Sequence, residues 1–80
     1  MNIKTAAADA AVLNVKSWVE NGRFKLSGTK ADVRRVIALQ GLDMVRDGST
    51  TWVVRNDKSF VGMLVVGEIN HNFAYFYTTQ

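Results

Sequence analysis

The side chains in this chain with the most evident chemistry are cationic. Residues 23–35 hold five basic groups, Arg23, Lys25, Lys30, Arg34 and Arg35, against a single acid, Asp32. Clustered lysine and arginine neutralise phosphates and release their counterions, which is the origin of sequence-independent affinity for nucleic acid. Lys16 extends the set on the N-terminal side. Ser27, Gly28 and Thr29 lead into Lys30 as a turn leads into a helix, and the first N–H groups of a helix lack intrahelical acceptors, so they can face an anion. Lys16, Arg23, Lys25, Ser27, Gly28, Thr29, Lys30, Arg34 and Arg35 are therefore the expected nucleic-acid contacts. The same charges also suit a solvated surface that keeps a small protein in solution.

The asymmetry of charge supports this emphasis. Residues 1–41 carry seven basic and three acidic side chains, a net +4, whereas residues 42–80 carry three and four, a net −1. The whole excess behind the formal +3 lies in the first half.

Catalysis finds little material. The chain has no cysteine, so disulfides, thiolate chemistry and zinc fingers drop out. One histidine, His71, stands between Asn70 and Asn72 in an expected loop with no partner nearby in sequence. Asp43, Asp47 and Asp57 fall on expected turns, where Asp bonds its own backbone. Glu20 and Glu68 have no second carboxylate at a fixed spacing. Gly62 and Gly67 accompany a strand and do not form a phosphate loop. The expectation is a non-enzymatic protein with no catalytic residues, no metal, no cofactor and no small-molecule substrate. No apolar run nears the roughly 20 residues of a membrane-spanning helix. The start, Met1-Asn2-Ile3-Lys4, lacks the pattern of a secretory signal, and a cytoplasmic location is expected.

A second group of residues is aromatic and apolar. Phe73, Tyr75, Phe76 and Tyr77 could stack on bases if a sheet exposed them, although few basic residues neighbour them in sequence. Trp52, Met63, Tyr75 and Tyr77 are of the types favoured at the centre of protein interfaces. They define an alternative: a compact inhibitor or adaptor of the phage or mobile-element kind, docking on a host protein or a nucleic-acid-handling complex. A homodimer paired through its sheet is compatible with either reading.

These groups must be positioned by one small domain of 80 residues, 48% hydrophobic and 21% charged. Thr5 as cap and the alanine-rich run predict a helix over 5–21, with a stripe of Ala8, Ala11, Val12, Val15, Trp18 and Val19 ending at Asn21-Gly22. Residues 23–26 read as a short strand or extended connection with Phe24 and Leu26 inward. A second helix is expected over 30–40, capped by Thr29 with Asp32 in its first turn and stopped by Gly41. It buries Val33, Val36 and Ile37 and turns Lys30, Arg34 and Arg35 outward. Strands follow at 42–46, 51–56, 59–67 and 73–79, punctuated by Asp47-Gly48, Asn56-Asp57-Lys58 and a loop over 67–72. The expected fold is α+β, two N-terminal helices packed on a C-terminal antiparallel β meander of three to four strands.

That sheet would be apolar on both faces. Phe60, Leu64 and Val66 oppose Val61, Met63 and Val65; Phe73, Tyr75 and Tyr77 oppose Ala74 and Phe76; Trp52 and Val54 oppose Val53. Helices cover one face only, so the second needs an internal wrap, another copy or a partner.

One stretch, Ser27-Gly28-Thr29-Lys30-Ala31-Asp32-Val33-Arg34-Arg35-Val36, resembles the second-helix entry of the SAP-type helix-extension-helix DNA-binding motif. Its pattern is a small-residue turn, Gly, a variable residue, Lys-Ala, an acid, an aliphatic residue and a basic one. The resemblance implies that this turn and helix start meet DNA phosphates, and it favours DNA over RNA. It extends loosely to Val15, Lys16 and Trp18 and leaves the strand half unaccounted for. The order of a helix followed by a meander is also similar to small double-stranded-RNA-binding folds without their closing helix.

Overall fold

The computed structural model describes residues 1–79. Its first helix, α1, spans Ile3–Val12 and starts one turn earlier than expected. Asn2 is the cap, its side-chain oxygen accepting the Thr5 backbone N–H at 3.2 Å, the bond that satisfies an otherwise orphaned donor. The helix then stops well short of residue 21. Asn14 takes a left-handed φ of 59°, and the chain turns back as two strands, β1 (Lys16–Glu20) and β2 (Arg23–Thr29). Asn21 and Gly22 join them with φ of 54° and 75°, the paired positive values of a type I′ hairpin turn. The Asn-Gly pair is thus a hairpin corner, not a helix end. Helical propensity carries the alanine run, but Trp18 and Val19 prefer a pleated surface, and pairing with β2 overrides the weak helical periodicity. The buried side of α1 shifts accordingly to Ala6 and Ala10, with Ala8, Ala11 and Val12 exposed.

The second helix, α2 (Lys30–Leu39), matches its expected span. The Thr29 hydroxyl accepts the Asp32 N–H at 3.2 Å, and Val33, Val36 and Ile37 are fully buried. Four strands follow: β3 (Asp43–Arg46), β4 (Thr51–Asn56), β5 (Ser59–Val66) and β6 (Phe73–Thr78). All six pair antiparallel in one sheet of order β1-β2-β6-β5-β4-β3. The α+β class holds, but two parts of the expectation do not. α2 lies between β2 and β3 in the chain, so the helices do not both precede the strands. The sheet has six strands instead of three to four, because the N-terminal hairpin joins it. The decisive pairing is β2 with β6, which inserts the last strand beside the second.

A single core lies between the sheet and both helices. Phe24, Leu26, Val54, Leu64, Ala74 and Phe76 on the strands meet Ala6, Ala10, Val33, Val36 and Ile37. Each fully buried large apolar side chain contributes about 1.5–3 kcal/mol from surface removed from water. Register shifts between Val54 and Arg55, so that Phe60 stands opposite Arg55 while Val61 packs on the core. Phe60, expected on the side of Leu64, is 53% exposed instead, because the irregularity breaks strand alternation there. Among the described residues, no helix is long and apolar enough to cross a membrane.

Candidate nucleic-acid interface

Residues paired across antiparallel strands point to the same side of a sheet, so the register itself assigns the two faces. Trp18 pairs with Lys25, and Lys25 pairs with Tyr77. Lys16 pairs with Ser27, Ser27 with Tyr75, and Glu20 with Arg23. Met63 and Val65 of β5 continue the two rows beyond Tyr77 and Tyr75. All of these side chains lie on the face turned away from the helices, and no described element covers it. Tyr75 is 43% exposed, and Phe73 at the end of the same row is similar.

The geometry of this face is ordered. The Tyr75 and Tyr77 rings stack with centroids 5.9 Å apart and planes 27° from parallel. The Arg23 guanidinium carbon lies 5.9 Å from the Tyr77 ring centre, and Lys16 Nζ lies 5.4 Å from that of Trp18. Lys25 Nζ donates to Glu20 Oε1 at 2.9 Å, and the Trp18 indole N–H donates to the same oxygen at 3.4 Å. The Lys25 hydrogen bond chiefly, then that from Trp18 and the charge of Lys25, hold the exposed Glu20 carboxyl below its ordinary range. Three cations against one carboxylate leave the aromatic rows in a positive field.

Pairing of β2 with β6 corrects the objection that the tail aromatics lack basic neighbours. Lys25 and Arg23 are remote from Tyr77 in sequence and adjacent to it in the sheet. Trp18 was missed because residues 16–20 read as helix, which assigned its ring to the core; the Asn21-Gly22 hairpin signal could have found it.

The remaining expected contacts do not join this face. Trp52 is only 9% exposed and lies on the helix-covered side, apart from Met63, Tyr75 and Tyr77, so those four residues do not form one interface. Around its ring gather Lys30 Nζ, Arg34 Cζ and Arg46 Cζ, at 5.2, 5.6 and 5.1 Å from the centre. Arg35 is exposed on α2 and belongs to neither group. The backbone at the helix entry is largely engaged. The Lys30 N–H donates to the Asn72 carbonyl oxygen at 2.7 Å, and the Asp32 N–H is taken by Thr29. Ser27 and Gly28 are strand residues, and a Cβ on Gly28 would meet the Val15 and Val33 side chains at 3.5 and 3.7 Å. Side chains, more than free amides, carry the positive potential at the helix start. In the stretch that resembles the SAP-type motif, residues 27–36 run from the end of β2 through Thr29 into α2, and a β-hairpin precedes them.

Compared with protein-family models, curated proteins and solved structures, the chain gives no match to any of them.

Proposed function

We propose that this protein binds single-stranded nucleic acid across the open face of its sheet, without catalysis. The observation that carries the reading is the stacked Tyr75–Tyr77 pair set against Arg23, Lys25 and Ser27 by the pairing of β2 with β6. Exposed rings offer flat surfaces on which unpaired bases stack whatever their identity, and flanking cations follow the phosphates. Tyr75, Tyr77 and Trp18 take bases, while Lys16, Arg23 and Lys25 take phosphates. Duplex DNA keeps its bases stacked inside and offers this face only its backbone. Binding is therefore expected to favour single strands, to tolerate sequence and to weaken as salt rises. The test is a fluorescence-polarisation titration of a labelled oligothymidylate and of a random duplex at two salt concentrations. Preference for the single strand with steep salt dependence is the expected result; equal or absent binding overturns the reading.

A protein partner is a second reading, favoured by the apolar continuation of the same face through Met63, Val65, Val53 and Val45, the last 41% exposed. Replacing Lys16 and Lys25 by glutamine separates the two. Loss of nucleic-acid binding follows from the first reading, and a protein interface centred on Met63 would be little affected.

A further inference from the structure

On the opposite side of the sheet, the cations around Trp52 present a different arrangement. Lys30 and Arg34 come from the first two turns of α2 and Arg46 from the end of β3, yet all three converge on one indole. Like charges brought together repel, and such a group is normally interleaved with carboxylates. Here no carboxylate of the described residues lies within 4 Å of any of the three; the two ion pairs among those residues are Lys25–Glu20 and Arg55–Asp43. What holds the cations is the indole face and, for Arg46, the carbonyl oxygens of Gly48 and Ser49 at 3.0 and 2.9 Å. A buried ring is a rigid support, so the charges are positioned before any ligand arrives.

Two clefts flank Lys30. One, of about 520 Å³, lies between the start of α2 and Asn72. The other, of about 290 Å³, has Trp52 in its wall and brings Lys30, Arg46, Ser49, Thr50 and His71 together. Among the described residues, no acidic side chain lines either cleft. Two cationic side chains and two hydroxyls around a small volume match the oxygens of a phosphate group, which accepts several hydrogen bonds at once and carries compensating charge. The His71 ring stands in the wall with its Nε2 engaged by the Glu68 carbonyl oxygen at 2.8 Å.

We infer that this second cleft is a phosphate-binding site, formed by Lys30, Arg46, Ser49 and Thr50 over Trp52, with His71 in its wall and Arg34 closing the positive ring. The site is separate from the open sheet face and does not depend on it. The phosphate is either the terminal group of a nucleic-acid strand or that of a free phosphate compound, and the chemistry of recognition is the same.

The experiment follows the two indole N–H resonances of the intact protein by NMR, assigned with Trp18→Phe, during titration with pyrophosphate at constant ionic strength. A saturable shift of the Trp52 resonance, with Trp18 unmoved, is expected. Loss of one charged donor weakens such binding about tenfold, so Lys30→Gln and Arg46→Gln should each raise the dissociation constant by about that factor. Lys30→Gln is the more telling variant, because Arg46→Gln also removes the loop bonds to Gly48 and Ser49. No saturable shift, the same shift with chloride, or undiminished affinity in Lys30→Gln overturns the inference. Oligonucleotides with and without a 5′-phosphate then distinguish the sources. Tighter binding of the phosphorylated strand with a Trp52 shift assigns the site to strand ends. Equal binding of the two strands, with the pyrophosphate shift intact, assigns it to a free phosphate compound.

Discussion

Replacing Tyr75 by alanine removes a stacking surface from the open sheet while leaving every cation in place. Tyr75 is 43% exposed, and its ring rests on that of Tyr77 at 5.9 Å. Losing roughly 50–100 Å² of buried ring surface costs about 1–2.5 kcal/mol of folding stability at about 25 cal/mol per Å². A domain of this size tolerates that loss at room temperature, and circular dichroism verifies the fold. Stacking of one base on an aromatic ring is worth about 1–3 kcal/mol, so the dissociation constant for single-stranded DNA should rise roughly 5- to 150-fold. The salt dependence supplies an internal check. Each phosphate contact on a single strand contributes a slope of about −0.7 in log K against log salt, giving about −2 for Lys16, Arg23 and Lys25 together. Tyr75→Ala should displace that line without changing its slope, whereas Lys25→Gln should flatten it by about 0.7. Tyr75→Phe keeps the flat ring and should bind within about twofold of the parent. The assay is fluorescence polarisation with a labelled oligothymidylate across a salt series. A folded Tyr75→Ala protein that binds as tightly as the parent refutes base stacking on this sheet.

Four further outcomes follow from the same structure. Glu20 holds Lys25 and Trp18 through one oxygen. Glu20→Gln, which keeps an acceptor but removes the charge, should therefore loosen the hold on Lys25, tighten single-strand binding a few-fold and steepen the salt slope. Because the folded Glu20 carboxyl titrates below its ordinary 4.5, its contribution to stability is present above that value and fades as pH falls through the lower folded one, which a carboxyl NMR titration would trace. Thr29→Ala removes the cap bond to the Asp32 N–H and should cost about 1 kcal/mol in urea denaturation; an unchanged midpoint would show that the cap contributes nothing. A Cβ at Gly62 would overlap the Tyr77 carbonyl oxygen, so Gly62→Ala should strain the pairing of β5 with β6, lower the melting temperature and weaken single-strand binding together.

Local chemistry made several elements legible. Thr29, Asp32 and the spacing of Val33, Val36 and Ile37 specify α2 almost to its last residue, since capping and helical periodicity act within a few turns. The last four strands were readable because β-branched and aromatic runs alternate with Asp-Gly and Asn-Asp turns. Residues 13–22 were misread because a loose apolar stripe of Val15, Trp18 and Val19 continues the alanine-rich run past Val12, whereas what ends the helix is a hairpin stabilised by distant strands. At the candidate site, the cations and tyrosines were each recognised, but in separate sets.

Composition and local pattern therefore determined the α+β class, the second helix, the two-sided apolar sheet and the basic character of the first half. Which residues share a surface was decided by tertiary pairing alone. β6 enters between β2 and β5, so Lys25 meets Tyr77 across one ladder despite the length of chain between them. The same topology carries Arg46 back to Lys30 and Arg34 over Trp52, and turns Trp18 from an expected core residue into part of an open face. Sequence spacing encodes contacts only where the backbone between two residues is a single regular element. Contacts made through strand order depend on the registry of the whole sheet, which no local stretch contains.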